Sequence, residues 1–284
     1  MITAVALRSF TPVGAAAARG TLGAAVLAAI LLAPWAGAAA LRPVRLHGPA
    51  LWRLAGLGLM GGAIFMVAMN VAVALAGATI TAFVAGLYAV LAAALAVPML
   101  GERPDRITIL SLALALIGTL LLGDLQPSMR LAGGIGVGLL AAISFALFLV
   151  LSRRWSVPYG LPGPSVALAA LALSGAATAV LMAVTGIPLT EGDLLPEAAW
   201  AVAWLALGPG ALAAVLVVIG MRRLPARRAS AFLLLNPPTA AVLAWVLLGE
   251  RLSPLQLLGG ALVLAAMAGA SGLLRPWRGS PDRA

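Results

Sequence analysis

The chain has 284 residues, of which 63% are hydrophobic and only 9% charged, with a mean hydropathy of +1.11. Soluble domains average about 45–50% apolar and about 25% charged residues, so a water-soluble fold is excluded and the surplus apolar surface has to face lipid. The net charge of +10 comes from eighteen Arg and no Lys against eight acids, and Cys is absent, which removes disulfides and thiolate metal sites.

No basic stretch precedes an apolar core in the first ten residues, so a cleaved signal peptide is not expected. A helix needs about 20 apolar residues to cross a bilayer. Nine such segments follow in order: 12–34, 52–75, 80–100, 104–123, 131–152, 164–186, 196–221, 229–248 and 253–273. They are expected to be helices, because an open sheet would leave unpaired backbone groups in lipid. The first carries Arg19 one or two turns inside its end. The second contains Gly56, Gly58, Gly61 and Gly62, and the fifth Gly133, Gly134, Gly136 and Gly138, small residues that let helices approach closely. Gly208-Pro209-Gly210 interrupts the seventh and should bend it. Trp35, Trp52, Trp155, Trp200 and Trp277 fall near span ends, as an interfacial belt would.

Arginine placement sets the expected orientation. Fourteen lie in alternate loops or the C-terminal tail: Arg42, Arg45, Arg53, Arg103, Arg106, Arg153, Arg154, Arg222, Arg223, Arg227, Arg228, Arg275, Arg278 and Arg283. The opposite side holds Arg8, Arg130 and Arg251, with the acidic loop of Glu191, Asp193 and Glu197. The fourteen mark the cytoplasm, which places the C-terminus inside. Short clusters between apolar runs are topology signals, not the basic face of a nucleic-acid-binding domain.

Two stretches of the chain repeat at an offset of 148. Residues 81–104 and 229–252 share nine identities, four of them in the tetrads Leu100-Gly101-Glu102-Arg103 and Leu248-Gly249-Glu250-Arg251. Each tetrad closes one span and leads into the next, and the arginine pattern puts them on opposite sides. The fold expected is therefore an all-α, polytopic membrane bundle built as an inverted repeat, an arrangement seen in secondary transporters. The halves run over 1–124 and 131–274, with 275–284 as a cytoplasmic tail.

With its Gly-Glu-Arg turns, and with Ser230 to Pro238 followed by the Gly249 to Gly260 stretch, the chain resembles the drug/metabolite transporter superfamily of EamA type. Met221-Arg-Arg-Leu-Pro-Ala is similar to that family's eighth-helix exit. The likeness implies two halves of five helices and the export of small metabolites, such as amino acids or related compounds, across the bacterial inner membrane. It implies a first helix of which residues 2–10 are the remnant, with Arg8 near the place of Arg153; the other reading is a nine-helix variant. The family's fourth-helix Pro is replaced here by the Gly86, Tyr88, Ala89 region, and its sixth-helix Trp by Phe145.

All eight carboxylates lie in loops or at helix ends, and His47 lies in a basic loop, so no buried proton-coupling carboxylate is expected. Polar groups deep in the spans become candidates for a solute pathway: Asn70, Tyr88, Ser144 and Asn236 as hydrogen-bonding groups, Phe65, Phe145, Phe148 and Trp204 as walls. Pro237 and Pro238 remove ladder donors and expose carbonyls. The competing reading for the polar set is helix–helix glue. Glu102 and Glu250 are expected to cap the helix that follows each of them, with Arg103 and Arg251 as ion-pair partners. Arg19 has two readings, a side chain reaching back to the interface, which is the commoner outcome, or a site for a solute carboxylate. No metal or cofactor site is expected. A lipid-modifying enzyme would need clustered acids or a nucleophile beside a base, and the residues offer neither. The partners expected are a small solute and the bilayer, with the chain as monomer or homodimer; without its first helix it would be a fragment that does not transport.

Overall fold

The computed structural model describes residues 2–32, 48–101, 106–122, 128–156, 163–213 and 236–270. These form α1 (Ile2–Ala6), α2 (Pro12–Leu32), α3 (Gly48–Gly58), α4 (Phe65–Gly86), α5 (Tyr88–Leu100), α6 (Arg106–Leu122), α7 (Met129–Ser156), α8 (Gly163–Thr185), α9 (Pro196–Leu205), α10 (Asn236–Leu248) and α11 (Pro254–Ala270). Two π turns, Leu59–Ile64 and Ala206–Leu212, extend α3 and α9. Among the described residues no strand forms beyond one bridge between Phe10 and Thr190.

The helix starts are written in the sequence. Thr11 accepts from the Gly14 N–H at 2.9 Å, with Pro12 at the first helical position, so α2 begins there. Ser128 accepts from the Leu131 N–H at 3.1 Å and opens α7. Ser253 and Gln256 form a reciprocal box at the start of α11, the two bonds measuring 3.0 and 3.2 Å. The repeated tetrads act alike at helix ends: Gly101 and Gly249 stop α5 and α10 in the left-handed region, at φ 71° and 68°.

Four helical runs of the described residues are long and apolar enough to cross a membrane, and one of them, 51–100, is twice the length a crossing needs. That run folds back at Gly77 (φ 81°, ψ 168°). A Cβ placed on Gly138 of α7 would lie 3.7 Å from the Cβ of Ala72 and 3.5 Å from that of Val84. Those two are therefore within about 7 Å of each other, whereas twelve residues of straight helix would separate them by roughly 18 Å. The arm ending at residue 76 and the arm from 78 to 100 are thus antiparallel neighbours, each packed on α7. At its far end α7 meets both again: Trp155 packs edge-on against Trp52 at 5.6 Å, and Arg154 donates to the Met99 carbonyl at 2.7 Å.

Inversion of the halves is visible in how helices meet. Helix α2 runs antiparallel to α8, its repeat counterpart, with Gly20 against Gly175 and Gly23 against Leu171. Helices α6 and α11, also counterparts, cross where Gly118 and Gly259 each bring backbone against backbone. A Cβ on Gly20 would sit 2.5 Å from the Gly175 nitrogen, and one on Gly118 would sit 2.7 Å from the Gly259 carbonyl oxygen. Close packing between small residues supplies the association that the hydrophobic effect cannot supply in lipid.

The two π turns obey the same offset. Leu59, Gly62 and Ala63 of the first correspond at 148 residues to Leu207, Gly210 and Ala211 of the second. In the second, Pro209 has no N–H to offer the carbonyl four residues back, so the ladder widens.

Candidate solute pathway and inter-repeat clamp

Helix α7 carries an aromatic cluster into the seam between the two arms. Phe145 lies 4.6 Å from Phe65, 5.0 Å edge-on from Tyr88 and 5.5 Å from Phe148, centroid to centroid. One residue earlier, Ser144 donates to the Met60 carbonyl at 2.8 Å, inside the first π turn. A π turn breaks the regular i→i+4 ladder, and Ser144 fills the acceptor at Met60. Asn70 donates to the Pro12 carbonyl at 2.9 Å and ties the α4 arm to the start of α2. Ser144 and Asn70 are thus engaged between helices, while Tyr88 and Phe145 share a ring cluster with Phe65 and Phe148. Thr81 is buried on the same arm as Tyr88 and its hydroxyl makes no hydrogen bond. It was legible as a polar residue within an apolar span, yet small enough to pass for helix glue.

Trp204 stands apart from that cluster. It is 60% exposed and lines a cavity of about 570 Å³ with Ile2, Val5, Arg8, Trp200 and Leu247. At the offset of 148, Trp200 and Leu247 correspond to Trp52 and Met99, the residues that receive the last turns of α7. The cavity therefore occupies the second-half counterpart of the α7 seat, with α1 packed at one end of it. Asn236 and Pro237 open α10 by their backbone; their side chains lie outside the described residues, as do Glu102 and Arg103 altogether.

Glu250 occupies the best-defined polar site. Its two carboxylate oxygens accept from the N–H groups of Ala78 and Thr79, at 2.9 and 3.0 Å. The sequence assigns this carboxylate to the helix that follows it, and the structure corrects that assignment. Helix α11 is already capped by Ser253 and Gln256, so Glu250 is free to cap the arm beginning at Ala78, in the other half of the molecule. Gly77 makes the approach possible, since a Cβ there would lie 3.1 Å from Glu250 Oε1. On the other side of the turn, Arg130 donates to the Ala74 carbonyl at 2.8 Å. An anion meets the positive end of one arm and a cation the negative end of the other, Glu250 from the second repeat and Arg130 from the first turn of α7 that leads into it. Burial raises the Glu250 pKa, but the Ala78 N–H and the Thr79 hydroxyl and N–H lower it more, so it rests below the ordinary glutamate value. Arg251 is exposed, and among the described residues no ion pair to Glu250 involves it.

Comparison with known proteins adds three findings. A family model described as the EamA-like transporter family matches residues 1–123 and 132–272. A protein of Archaeoglobus fulgidus named as an uncharacterized transporter is 32% identical over 183 residues, which is 63% of this chain and 60% of that relative. The aligned region thus spans less than two thirds of the relative's length. A crystal structure superposes with a TM-score of 0.68 at 23% identity, covering 96% of this chain and 92% of that one, a likeness of fold.

Proposed function

The chain belongs to the EamA-like transporter family, and from that premise we propose that it is a secondary transporter of the bacterial inner membrane. In this reading it exports small metabolites, amino acids or related compounds, by alternating access of its two halves, with the C-terminus in the cytoplasm. The observation that carries the reading is the pair of π turns at equivalent positions of the two inverted halves. Irregular backbone at matched positions of an inverted repeat is where transporters place solute sites, and π turns concentrate at functional positions. The aromatic cluster around Phe145 lies beside the first of them, through the Ser144 bond to Met60. Asn236 and Pro237, at the start of α10, complete the proposed pathway.

Purified protein in liposomes, assayed for flux of a panel of amino acids and cationic drugs, tests this. Flux is expected for at least one solute class, reduced severalfold in Asn236→Ala with normal membrane insertion. Flux at the level of empty liposomes for every solute would defeat the transporter reading, and unchanged flux in the variant would remove Asn236 from the pathway.

A further inference from the structure

Arg19 stands seven residues inside α2, roughly 10 Å of helix from Pro12. Reaching back to water at that end would give its guanidinium solvent or headgroup partners. In the structure Arg19 is half-buried, and its Nε is buried without a hydrogen-bond partner. The carboxylates among the described residues lie elsewhere, Glu191 and Asp193 between α8 and α9, Glu197 in the first turn of α9 and Glu250 at the Gly77 turn. One turn to either side, Ala15 clusters with Val202 and Leu205, and Gly23 lies against Ala206, a Cβ there falling 3.4 Å from the Ala206 carbonyl oxygen. Arg19 thus belongs to the row of α2 that faces the entry to the second π turn.

An arginine within a membrane span is costly and persists where it has a counter-charge or a function. Here no carboxylate among the described residues pairs with it. Arg also presents a planar fork of donors suited to a bidentate oxyanion. We propose that Arg19 is the recognition point for the carboxylate of the transported solute, beside the π turn of α9. This rests on the transporter reading and narrows its substrate class to compounds bearing a free carboxylate. A phospholipid headgroup offers similar chemistry, and the test separates the two.

The test is thermal unfolding of the full chain in an uncharged maltoside detergent without added lipid, and it does not depend on flux. L-Leucine, L-phenylalanine and butyrate are compared with leucinamide, phenylalaninamide and butyramide, and separately with phosphatidylglycerol. At least one carboxylate is expected to raise Tm in a saturable manner while its amide does not. Arg19→Gln should abolish that shift and Arg19→Lys weaken it about tenfold or more in apparent affinity. Without ligand, Arg19→Gln should melt no lower than the parent, because it removes a cation with no ion pair among the described residues, whereas a structural arginine would lower Tm on removal. Equal shifts from acids and amides, no shift from any acid, a carboxylate shift retained in Arg19→Gln, or Arg19-dependent protection by phosphatidylglycerol alone would each overturn the proposal. If Arg19→Gln fails to fold, the acid-against-amide comparison on the parent protein and the Lys variant decide it. Flux without carboxylate preference would leave the transporter reading standing and end this one.

Discussion

Replacing Glu250 with Gln removes the charge and one of the two acceptors while keeping the size of the side chain. The carboxylate now receives two backbone N–H groups at 2.9 and 3.0 Å. Glutamine offers one carbonyl oxygen to the same pair and turns an NH2 group towards the other donor. Losing a side-chain cap costs about 0.5–2 kcal/mol, and losing a negative charge at a helix N-terminus about 0.3–1 kcal/mol. Glu250 is only partly buried, so water replaces some of what is lost, and the expected cost is about 1–2 kcal/mol. At roughly 2–4 °C per kcal/mol for a chain of this order, Tm should fall by about 2–8 °C at pH 7. The effect has a pH signature. Because the folded-state pKa lies below the ordinary glutamate value of 4.5, the stabilisation is complete above that value and is lost as pH drops through the folded pKa. The gap between parent and variant should be constant from pH 5.5 to 8 and close in more acidic solution. Thermal melts of both proteins across pH 3.5 to 8 measure it. Equal stability at pH 7, or a gap undiminished at the acid end, would refute the clamp as the source.

Two further predictions concern the same region. Gly77→Ala forces a side chain into φ 81°, ψ 168° and to within 3.1 Å of Glu250 Oε1; the backbone alone costs about 1–3 kcal/mol, and the loss measured by thermal melts should be smaller when Glu250 is also Ala, since the two residues touch. Ser144→Ala leaves the Met60 carbonyl without its donor and should cost about 1–3 kcal/mol, read as a lower Tm together with faster hydrogen exchange in the first π turn.

Sequence periodicity reached the helices, because lipid demands long apolar runs and the tetrads mark where they stop. It also reached the irregular turn at Pro209 and the aromatic set around Phe145. It did not reach the first π turn, whose only signal is the match of Leu59, Gly62 and Ala63 to Leu207, Gly210 and Ala211; a repeat search anchored on the tetrads passes over it. Nor did it reach the partner of Glu250. A carboxylate before a helix reads as the cap of that helix, and only the Ser253-Pro-Leu-Gln256 box, already sufficient for α11, signals that Glu250 is spare. For Asn70 and Ser144 the local sequence is silent on which carbonyl lies opposite, since Pro12 and Met60 are 58 and 84 residues away.

The clamp on the Gly77 turn also constrains the order in which the molecule can be finished. Ala78 leaves the ribosome 172 residues before Glu250, an interval of roughly 10–30 s at ordinary elongation rates. Throughout that time the hairpin of the first half holds two N–H groups whose acceptor has not been made. The sharpest reversal of the first half settles only when the α10–α11 hairpin arrives. A ribosome stalled before residue 250 would therefore leave this hairpin as the weak point that a membrane protease finds first.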